Sequence, residues 1–583
     1  MCGIIGGTNR QWDFESAVTL LRHRGPDSEN IVHLENFSLG FRRLAIIDLS
    51  PNGNQPMSSH DGQVHIVFNG EIYGYRRIKA ELKTKGFSFR GESDTEVLLN
   101  AYLHWGDKFV DHIDGMFAIG IYDQRIKKVK LFRDRPGIKP LYYLYSNGQF
   151  AFASELKGLT ALCTNHDFQI DNTAIYDYLT YFYIPDPKSL YKNIFKLKPA
   201  HQLTYDLGSK KIIQNEPYWQ LEANPSPRAI SVQEAGDRLR QLIKASVKDQ
   251  IIADVPVGFF LSGGLDSSVV VAESASSSDN LNTFSIGFED AQRSEIQHAE
   301  KVAGLFHTNH RTKILSSVEN QKLIQNLKTW YDEPFADTSA MPTYLVSQFA
   351  KEYVTVALSG DGGDELFGGY QHYQKYRFFK TLQRFLHFKN PRLMNSISKI
   401  KGQLRFKSFG YRALNLLMHF VDVDLRMYSK ILGKMDLFDK APYAKGLGIA
   451  KDYDDLWFLR QYLHKELPAM TQLQYIDFHT YLPCDILTKV DRVSMAVSLE
   501  VRVPLLSREI IEFAFGLPEN IRFWKGQLKG LVRETYKDIL PKEILGRPKH
   551  GFGIPLKYLD LDRGMPHIDF LKRYYNIKIR PNS

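Results

Sequence analysis

Cysteine is scarce in this chain: Cys2, Cys163 and Cys484 are the three found among 583 residues. So sparse and odd a set cannot build a disulfide framework in a polymer this long, and a reducing compartment, the cytoplasm, is the expected location. Long apolar runs are lacking as well. No stretch approaches the ~18 uninterrupted apolar residues of a membrane span, and no charged start with an apolar core opens the chain as a secretory leader would. Neither repeats nor low-complexity tracts occur, and 41 Gly and 25 Pro are ordinary for a folded chain, which excludes collagen-like, coiled-coil and disordered classes. A strong charge of either sign is also missing. Lys and Arg number 75 against 65 Asp and Glu, a net charge of +10, which permits anionic ligands without requiring nucleic acid. Acidic residues vanish locally, from Leu366 to Val421, while Lys and Arg recur between Lys375 and Arg412 among Phe378, Phe385, Phe406 and Phe409. Two readings fit this basic stretch, 371–412: helices with solvated basic faces, or a surface that attracts an anionic acceptor such as a glycan uronic acid or a lipid-linked precursor.

What is present is patterned. At ~150 residues per domain the length argues for several units rather than one core. Residues 2–210 alternate apolar and polar positions between turns, as antiparallel strands do. Within 140–155, Leu141 to Tyr145 faces Gln149 to Ala153 across Ser146-Asn147-Gly148, and Asn-Gly is a strong hairpin signal. Val97, Leu98, Ala101 and Tyr102 give helical spacing over Thr95 to Trp105. Residues 211–231 carry Pro217, Pro225 and Pro227 and read as a linker, densest in linker composition from Glu216. In 232–583 the pattern changes to helix (Val232 to Gln250), strand (Val255 to Leu261), helix (Ser267 to Ala275) and further strands at Leu281 to Phe288 and Val354 to Leu358. That alternation predicts a parallel sheet flanked by helices, with a mostly helical remainder after Gly369.

Two sets of residues carry chemistry. Removal of Met1 would place a thiol and a free α-amine together on Cys2, and an amine of pKa ~7.7–8.0 can generate the thiolate directly or through a water. Far along the chain, Ser262-Gly263-Gly264-Leu265-Asp266-Ser267 closes an apolar strand and opens a helix. Glycines let backbone approach phosphate oxygens, hydroxyls and amides donate to them, and Asp266 lies where a bridging magnesium ion would want a carboxylate. Ser359-Gly360-Asp361-Gly362-Gly363-Asp364 follows a later strand and is equally rich in glycine and carboxylate.

Met1-Cys2-Gly3-Ile4, Arg24-Gly25-Pro26-Asp27, Arg43 to Asp48, Asn69-Gly70-Glu71-Ile72-Tyr73 and Ser93-Asp94-Thr95-Glu96, in that order, resemble the glutaminase domain of class II (N-terminal nucleophile) glutamine amidotransferases over roughly the first 200 residues. The resemblance implies an αββα sandwich in which Cys2 attacks the glutamine amide and Asn69 and Gly70 stabilise the oxyanion. It also implies that Arg43 holds the substrate's α-carboxylate and Asp94 its α-ammonium, with Ile46, Ile47 and Glu71 lining the pocket. Asp94 precedes the expected helix, so helix capping is a second duty read for it. The Ser-Gly-Gly-x-Asp-Ser motif resembles the pyrophosphate loop of ATP pyrophosphatases. Both motifs behind a class II glutaminase resemble the glutamine-hydrolysing asparagine synthetase family over nearly the whole chain, which implies α/β architecture throughout, an adenine-nucleotide-binding parallel sheet and a helical C-terminal part.

Carried over from that family, Leu261, Ser262, Gly263, Gly264, Asp266, Ser267, Ile286, Ser359 and Gly360 contact ATP. Asp266 and Asp364 hold Mg2+, Asp361 stands at the acid important for acyl-adenylate formation, and Lys549 matches a lysine facing the phosphates. Asp361 departs from the Glu of better-known members, as in relatives from polysaccharide and secondary-metabolite pathways. Aspartate is the default acceptor carboxylate that the family implies, and this departure makes a uronic acid or another carboxylate the alternative. A homodimer is compatible with the family, and neither nucleic acid nor a membrane is an expected partner. Two competing classes are a non-catalytic binding role, against which Cys2, Asn69, Asp94 and Asp266 are all retained, and a sulfur-transferring tRNA enzyme, which would not need the first half.

Overall fold

Apolar alternation in the first half resolves into strands. The computed structural model describes residues 2–164, 166–223, 230–276, 280–288, 296–315, 326–386, 424–432, 437–547, 566–577 and 579. Its first half contains β1 (Gly3–Gly7), β2 (Ser28–His33), β3 (Ser38–Arg43), β4 (Met57–Ser58), β5 (Val64–Tyr73), β6 (Asp114–Asp123), β7 (Lys128–Arg133), β8 (Tyr142–Ser146), β9 (Gln149–Ala153), β10 (Ile194–Lys196), β11 (His201–Asp206) and β12 (Lys211–Pro217). These form two six-stranded antiparallel sheets, ordered β10-β8-β9-β1-β3-β2 and β12-β11-β7-β6-β5-β4. Cys2, Ile4, Phe41, Val67, Ala118 and Phe152 pack between them. Helices Phe14–Leu20 and Leu156–Leu162 lie against the first sheet, and Asp94–Trp105, with Tyr75–Thr84 beside it, against the second. The expected αββα sandwich is thus in place. In the β8–β9 hairpin Ser146 faces Gln149, and Asn147 and Gly148 turn the chain at φ 51° and 74°, as a two-residue turn matched to strand twist requires.

One boundary differs. Residues 211–217 are not linker but edge strand β12, in register with β11 from His201↔Pro217 to Asp206↔Lys211. An edge strand exposes most of its side chains, and β12 buries none fully, so its composition reads like that of a linker. The antiparallel half therefore runs through Pro217, and the prolines Pro225 and Pro227 fall outside the described residues.

In the second half, helix Val232–Gln250 spans the residues expected of it, opened by a Ser231–Glu234 capping box. The sheet has five parallel strands, β13 (Val257–Phe260), β14 (Asn282–Phe288), β15 (Asn309–Leu315), β16 (Val356–Leu358) and β17 (Glu500–Arg502), in the order β15-β14-β13-β16-β17. β13 starts two residues late because Pro256 has no N–H to give the ladder. The described residues after Gly369 are mainly helical, including Gln371–Leu386 and Ala469–His479, and a π-helical turn at Leu482–Leu487 runs into helix Thr488–Met495. The basic stretch is described as helix to Leu386, and residues 387–412 lie outside the described residues.

The halves share one apolar core, in which Leu44, Ile46, Ile72 and Phe117 join Leu239, Phe259, Leu505 and Phe515. Beside it runs a buried ion network. Arg24 Nη1 donates to Glu155 Oε1 at 2.7 Å and to Asp491 Oδ2 at 2.8 Å, and Arg492 pairs with the same Glu155 at 3.0 Å. Such pairs add little net stability but cost several kcal/mol when one member is removed, so they fix how the halves are joined.

Candidate active sites

The first site forms where β1 meets β5. Cys2 immediately precedes β1, and its backbone N–H donates to Asn69 Oδ1 at 2.9 Å, which orients the amide. The other end of that amide, Asn69 Nδ2, is buried without an acceptor among the described residues. An unpaired buried donor is costly, and an oxyanion formed at the thiol would satisfy it. Gly70 follows at φ 157°, and a Cβ there would stand 1.9 Å from the Met116 carbonyl oxygen, so only glycine fits. Burial pushes the Cys2 thiol up, so a thiolate forms only with a base at hand. Arg24 Nε donates to the Cys2 carbonyl at 3.2 Å, tying the nucleophile's backbone to the buried ion network.

Arg43, Ile46, Ile47, Gly70, Glu71 and Asp94, six of the seven residues expected to bind glutamine, line one pocket with Cys2; Asn69 meets Cys2 by accepting the Cys2 backbone N–H. The pocket is nearly closed, at about 30 Å³, room for roughly one or two waters. Arg43 is turned to its own loop: it donates to the carbonyls of Asp48 and of Ser50 (2.8 Å) and to Asn54 Oδ1 (2.9 Å). Asp94 is not the helix cap. Ser93 caps Asp94–Trp105 by accepting the Thr95 N–H, and the Asp94 carboxylate, one residue inside, accepts the Ile72 N–H at 3.1 Å. Desolvation, reinforced by Glu500, raises Asp94 to about 6, and burial beside Asp94 raises Glu71 further.

The second site lies at the carboxyl ends of adjacent parallel strands, where open α/β sheets bind ligands. β13 delivers Leu261 to Gly264 into helix Leu265–Ala275, and β16 delivers Ser359 to Gly362 into the short helix Gly363–Phe367. Leu261, Ser262, Gly264, Asp266, Ser267, Ile286, Ser359, Gly360, Asp361 and Asp364 all line one cavity of about 710 Å³. Gly263 does not line it; at φ 68° it turns the chain where a Cβ would stand 2.5 Å from the Ala299 nitrogen. Ser262 Oγ lies 3.2 Å from Ser267 Oγ, and Ser359 Oγ donates to Asp361 Oδ2 at 2.5 Å. Lys549 lies outside the described residues.

Three features escaped the sequence reading. Lys529 inserts its ammonium between Asp266 and Asp364, at 2.5 Å from Asp364 Oδ1. Two carboxylates converging on one cation make the hard-oxygen donor set that Mg2+ takes alongside phosphates, so the residues fit that ion. Opposite the glycine-rich loops, Lys489 donates to Asp337 Oδ2 at 3.0 Å and to Ser339 Oγ at 2.8 Å, and Lys489 holds the Asp337 carboxyl far below its usual range despite burial. The third feature is β17. Glu500 at its start lines the thiol pocket, while two residues on, the Arg502 carbonyl accepts the Ser359 N–H at 2.9 Å. A Glu and an Arg two apart, on one face of the otherwise apolar run Leu499 to Val503, were the available signal.

An antiparallel sandwich holding a near-terminal thiol, joined to a parallel sheet with paired glycine-rich loops, defines a two-centre amidotransferase. The family model described as asparagine synthase matches residues 238–570, and that described as a glutamine amidotransferase domain matches residues 1–219. Asparagine synthetase [glutamine-hydrolyzing] 1 of Bacillus subtilis is 35% identical over 567 residues, covering 96% of this chain and 88% of that protein. A putative asparagine synthetase [glutamine-hydrolyzing] 2 of Methanocaldococcus jannaschii is 40% identical over 66% of this chain and 79% of its own. Amidase chry2 of Gibberella zeae is 25% identical over 94% of this chain and 85% of its own. The chain belongs to the asparagine synthase family.

Proposed function

We propose that the protein is a glutamine-dependent asparagine synthetase, in which ammonia released at Cys2 passes through the interior to an acyl-adenylate made from ATP and aspartate. The observation that carries this reading is the placement of both sites on one strand, with Glu500 of β17 in the thiol pocket and the Arg502 carbonyl bonded to Ser359 of the cavity loop.

At the first site the α-amine of Cys2, freed by loss of Met1, takes the thiol proton directly or through a water. Asn69 Nδ2 and the Gly70 N–H hold the tetrahedral oxyanion, Asp94 and Glu71 face the substrate ammonium, and Arg43 takes its carboxylate by exchanging bonds it now makes to the Asp48 and Ser50 carbonyls. Entry of glutamine therefore opens the loop that carries Ile46 and Ile47. At the second site Ser262, Gly264, Ser267 and the start of helix Leu265–Ala275 cradle the phosphates, and Lys529 adds positive charge beside them. Asp266 and Asp364 would hold Mg2+, which neutralises phosphate charge when bound. Asp361 serves the carboxylate undergoing adenylation, and Lys549 faces the phosphates and the charge that develops on them. The Lys489–Asp337 pair offers both charges that a dipolar amino acid needs, which favours aspartate. Relatives named as amidases, with chry2 covering 94% of this chain, support a second reading in which another carboxylate, such as a uronic acid, is amidated by the same chemistry.

The test is formation of AMP and pyrophosphate from ATP with glutamine and a panel of carboxylates, aspartate and uronic acids among them. Cys2→Ala is expected to abolish synthesis from glutamine and to leave synthesis from ammonia intact. Equal loss of both would overturn the division of labour, and turnover of uronic acids but not aspartate would replace the first reading with the second.

A further inference from the structure

We propose that Glu500, carried on β17 in the second half of the chain, is a glutamine-positioning residue that completes the wall of the thiol pocket and, with Glu71 and Asp94, receives the substrate's α-ammonium. This rests on the reading of Cys2 as the glutaminase nucleophile. The sequence resemblance gives the first half alone a complete glutamine site, whereas the pocket in the structure is a composite of both halves.

Glu500 is fully buried and lines the pocket beside Cys2, Glu71 and Asp94. Its Oε1 accepts from Arg502 Nε at 2.7 Å, and Arg502 Nη2 donates onward to Glu71 Oε2 at 3.0 Å. The remaining Arg502 nitrogen, Nη1, donates to the carbonyls of Gln250 (2.6 Å) and Ile252 (2.7 Å). One guanidinium is thus shared by two carboxylates and anchored by backbone, with a third carboxylate, Asp94, across the pocket. The groups facing Glu500 are Arg502 on its own strand, Glu71 and Tyr73 on β5, Asp94 at the head of its helix, Lys139 in the connection before β8, and Cys2, whose α-amine becomes the amino terminus once Met1 is lost. Positive charge outweighs burial at Glu500 and keeps it ionised, whereas burial and mutual repulsion raise Glu71 and Asp94. A substrate ammonium entering this pocket above pH 6 meets Glu500 and Asp94 already charged, and it favours the charged form of Glu71. Glu500 comes from the strand that also holds Ser359, so the glutamine site is finished only when the two halves are docked.

Two full-length variants, Glu500→Gln and Glu500→Asp, test the assignment through glutamine hydrolysis measured from pH 5 to 9, with ammonia-dependent synthesis followed in the same preparations. Glu500→Gln is expected to raise KM for glutamine about tenfold or more with kcat within a few-fold. It should also move the acid limb of kcat/KM to lower pH, because removing its charge relieves Asp94 and Glu71. Glu500→Asp keeps the charge, so its acid limb should stay at the wild-type position while the shorter arm raises KM several-fold. A counter-ion to Arg502 and nothing more would leave KM for glutamine unchanged in both variants above the limb, and that result overturns the proposal. If Glu500→Gln fails to fold, seen as loss of ammonia-dependent synthesis and of a cooperative melt, Glu500→Asp decides alone: unchanged KM refutes, raised KM supports. Wild-type protein that hydrolyses no glutamine would instead refute the glutaminase reading itself, and this proposal with it.

Discussion

The Asp48 N–H donates to Asp254 Oδ2 at 2.8 Å, across 206 residues of sequence, and the Asp254 N–H returns a bond to the Ile46 carbonyl at 2.9 Å. One residue of the second half therefore clamps the loop that roofs the thiol pocket. Asp254 lies three residues before β13, the strand that ends in Ser262 and Gly264, so the roof is fastened to the element that delivers the nucleotide loop.

Asp254→Ala removes the carboxylate bond and keeps the backbone one. A hydrogen bond to an exposed charged acceptor contributes on the order of 1–2 kcal/mol, so the Asp48 amide should exchange with solvent roughly tenfold faster, as read by hydrogen–deuterium exchange. Because the pocket has room for little more than water, cheaper opening should also raise kcat/KM for glutamine a few-fold. Unaltered exchange at Asp48 would show that the clamp does not hold the roof.

Lys529→Met removes the ammonium between Asp266 and Asp364 with little change in side-chain volume. Taking away one partner of a buried ion cluster costs on the order of 3 kcal/mol, so the metal-free variant should melt several degrees below wild type at pH 7.5. Magnesium alone should then recover more of the melting temperature in the variant than it adds to wild type, since the ion no longer displaces a resident cation. Equal magnesium responses in the two proteins would argue that Lys529 and the metal do not share these carboxylates.

Much of this was legible in the residues. Asn147-Gly148 fixed a hairpin because its turn admits few alternatives, and helix Val232–Gln250 was bounded by its cap and apolar spacing. The pocket around Cys2 was readable because its residues sit in contiguous motifs. β12 was not, since an exposed edge strand has no buried face to make it alternate. Lys529, Lys489 and Glu500 were harder to read for another reason: each meets a group more than a hundred residues away, Asp266 for Lys529, Asp337 for Lys489 and Glu71 for Glu500, and local spacing carries no trace of such a meeting beyond the Glu500–Arg502 pair in an apolar run. Asp94 shows the intermediate case, correctly placed in the pocket but wrongly given the cap, because Ser93 and Asp94 are equally able to cap and only the backbone path decides between them.

Asp94 also sets the last expectation. Desolvation raises its carboxyl to about 6, with Glu500 adding to the effect and the Ile72 N–H opposing it. The ionised form, which pairs with the substrate ammonium, therefore exists above pH 6 and is lost as pH falls through that value. Glutamine kcat/KM should accordingly drop on the acid side with an apparent midpoint near 6, a property of the Asp94–Glu71 pair rather than of one residue. Synthesis from ammonia, compared at constant free NH3, should not show this limb, because neither carboxyl belongs to the second site. Asp94→Asn should remove the charge at every pH, raising KM for glutamine at pH 8 by about ten- to a hundredfold and flattening the profile between pH 5.5 and 7. A wild-type profile level down to pH 5, or an Asp94→Asn variant that keeps the same limb, would mean that the ammonium is held without this carboxylate.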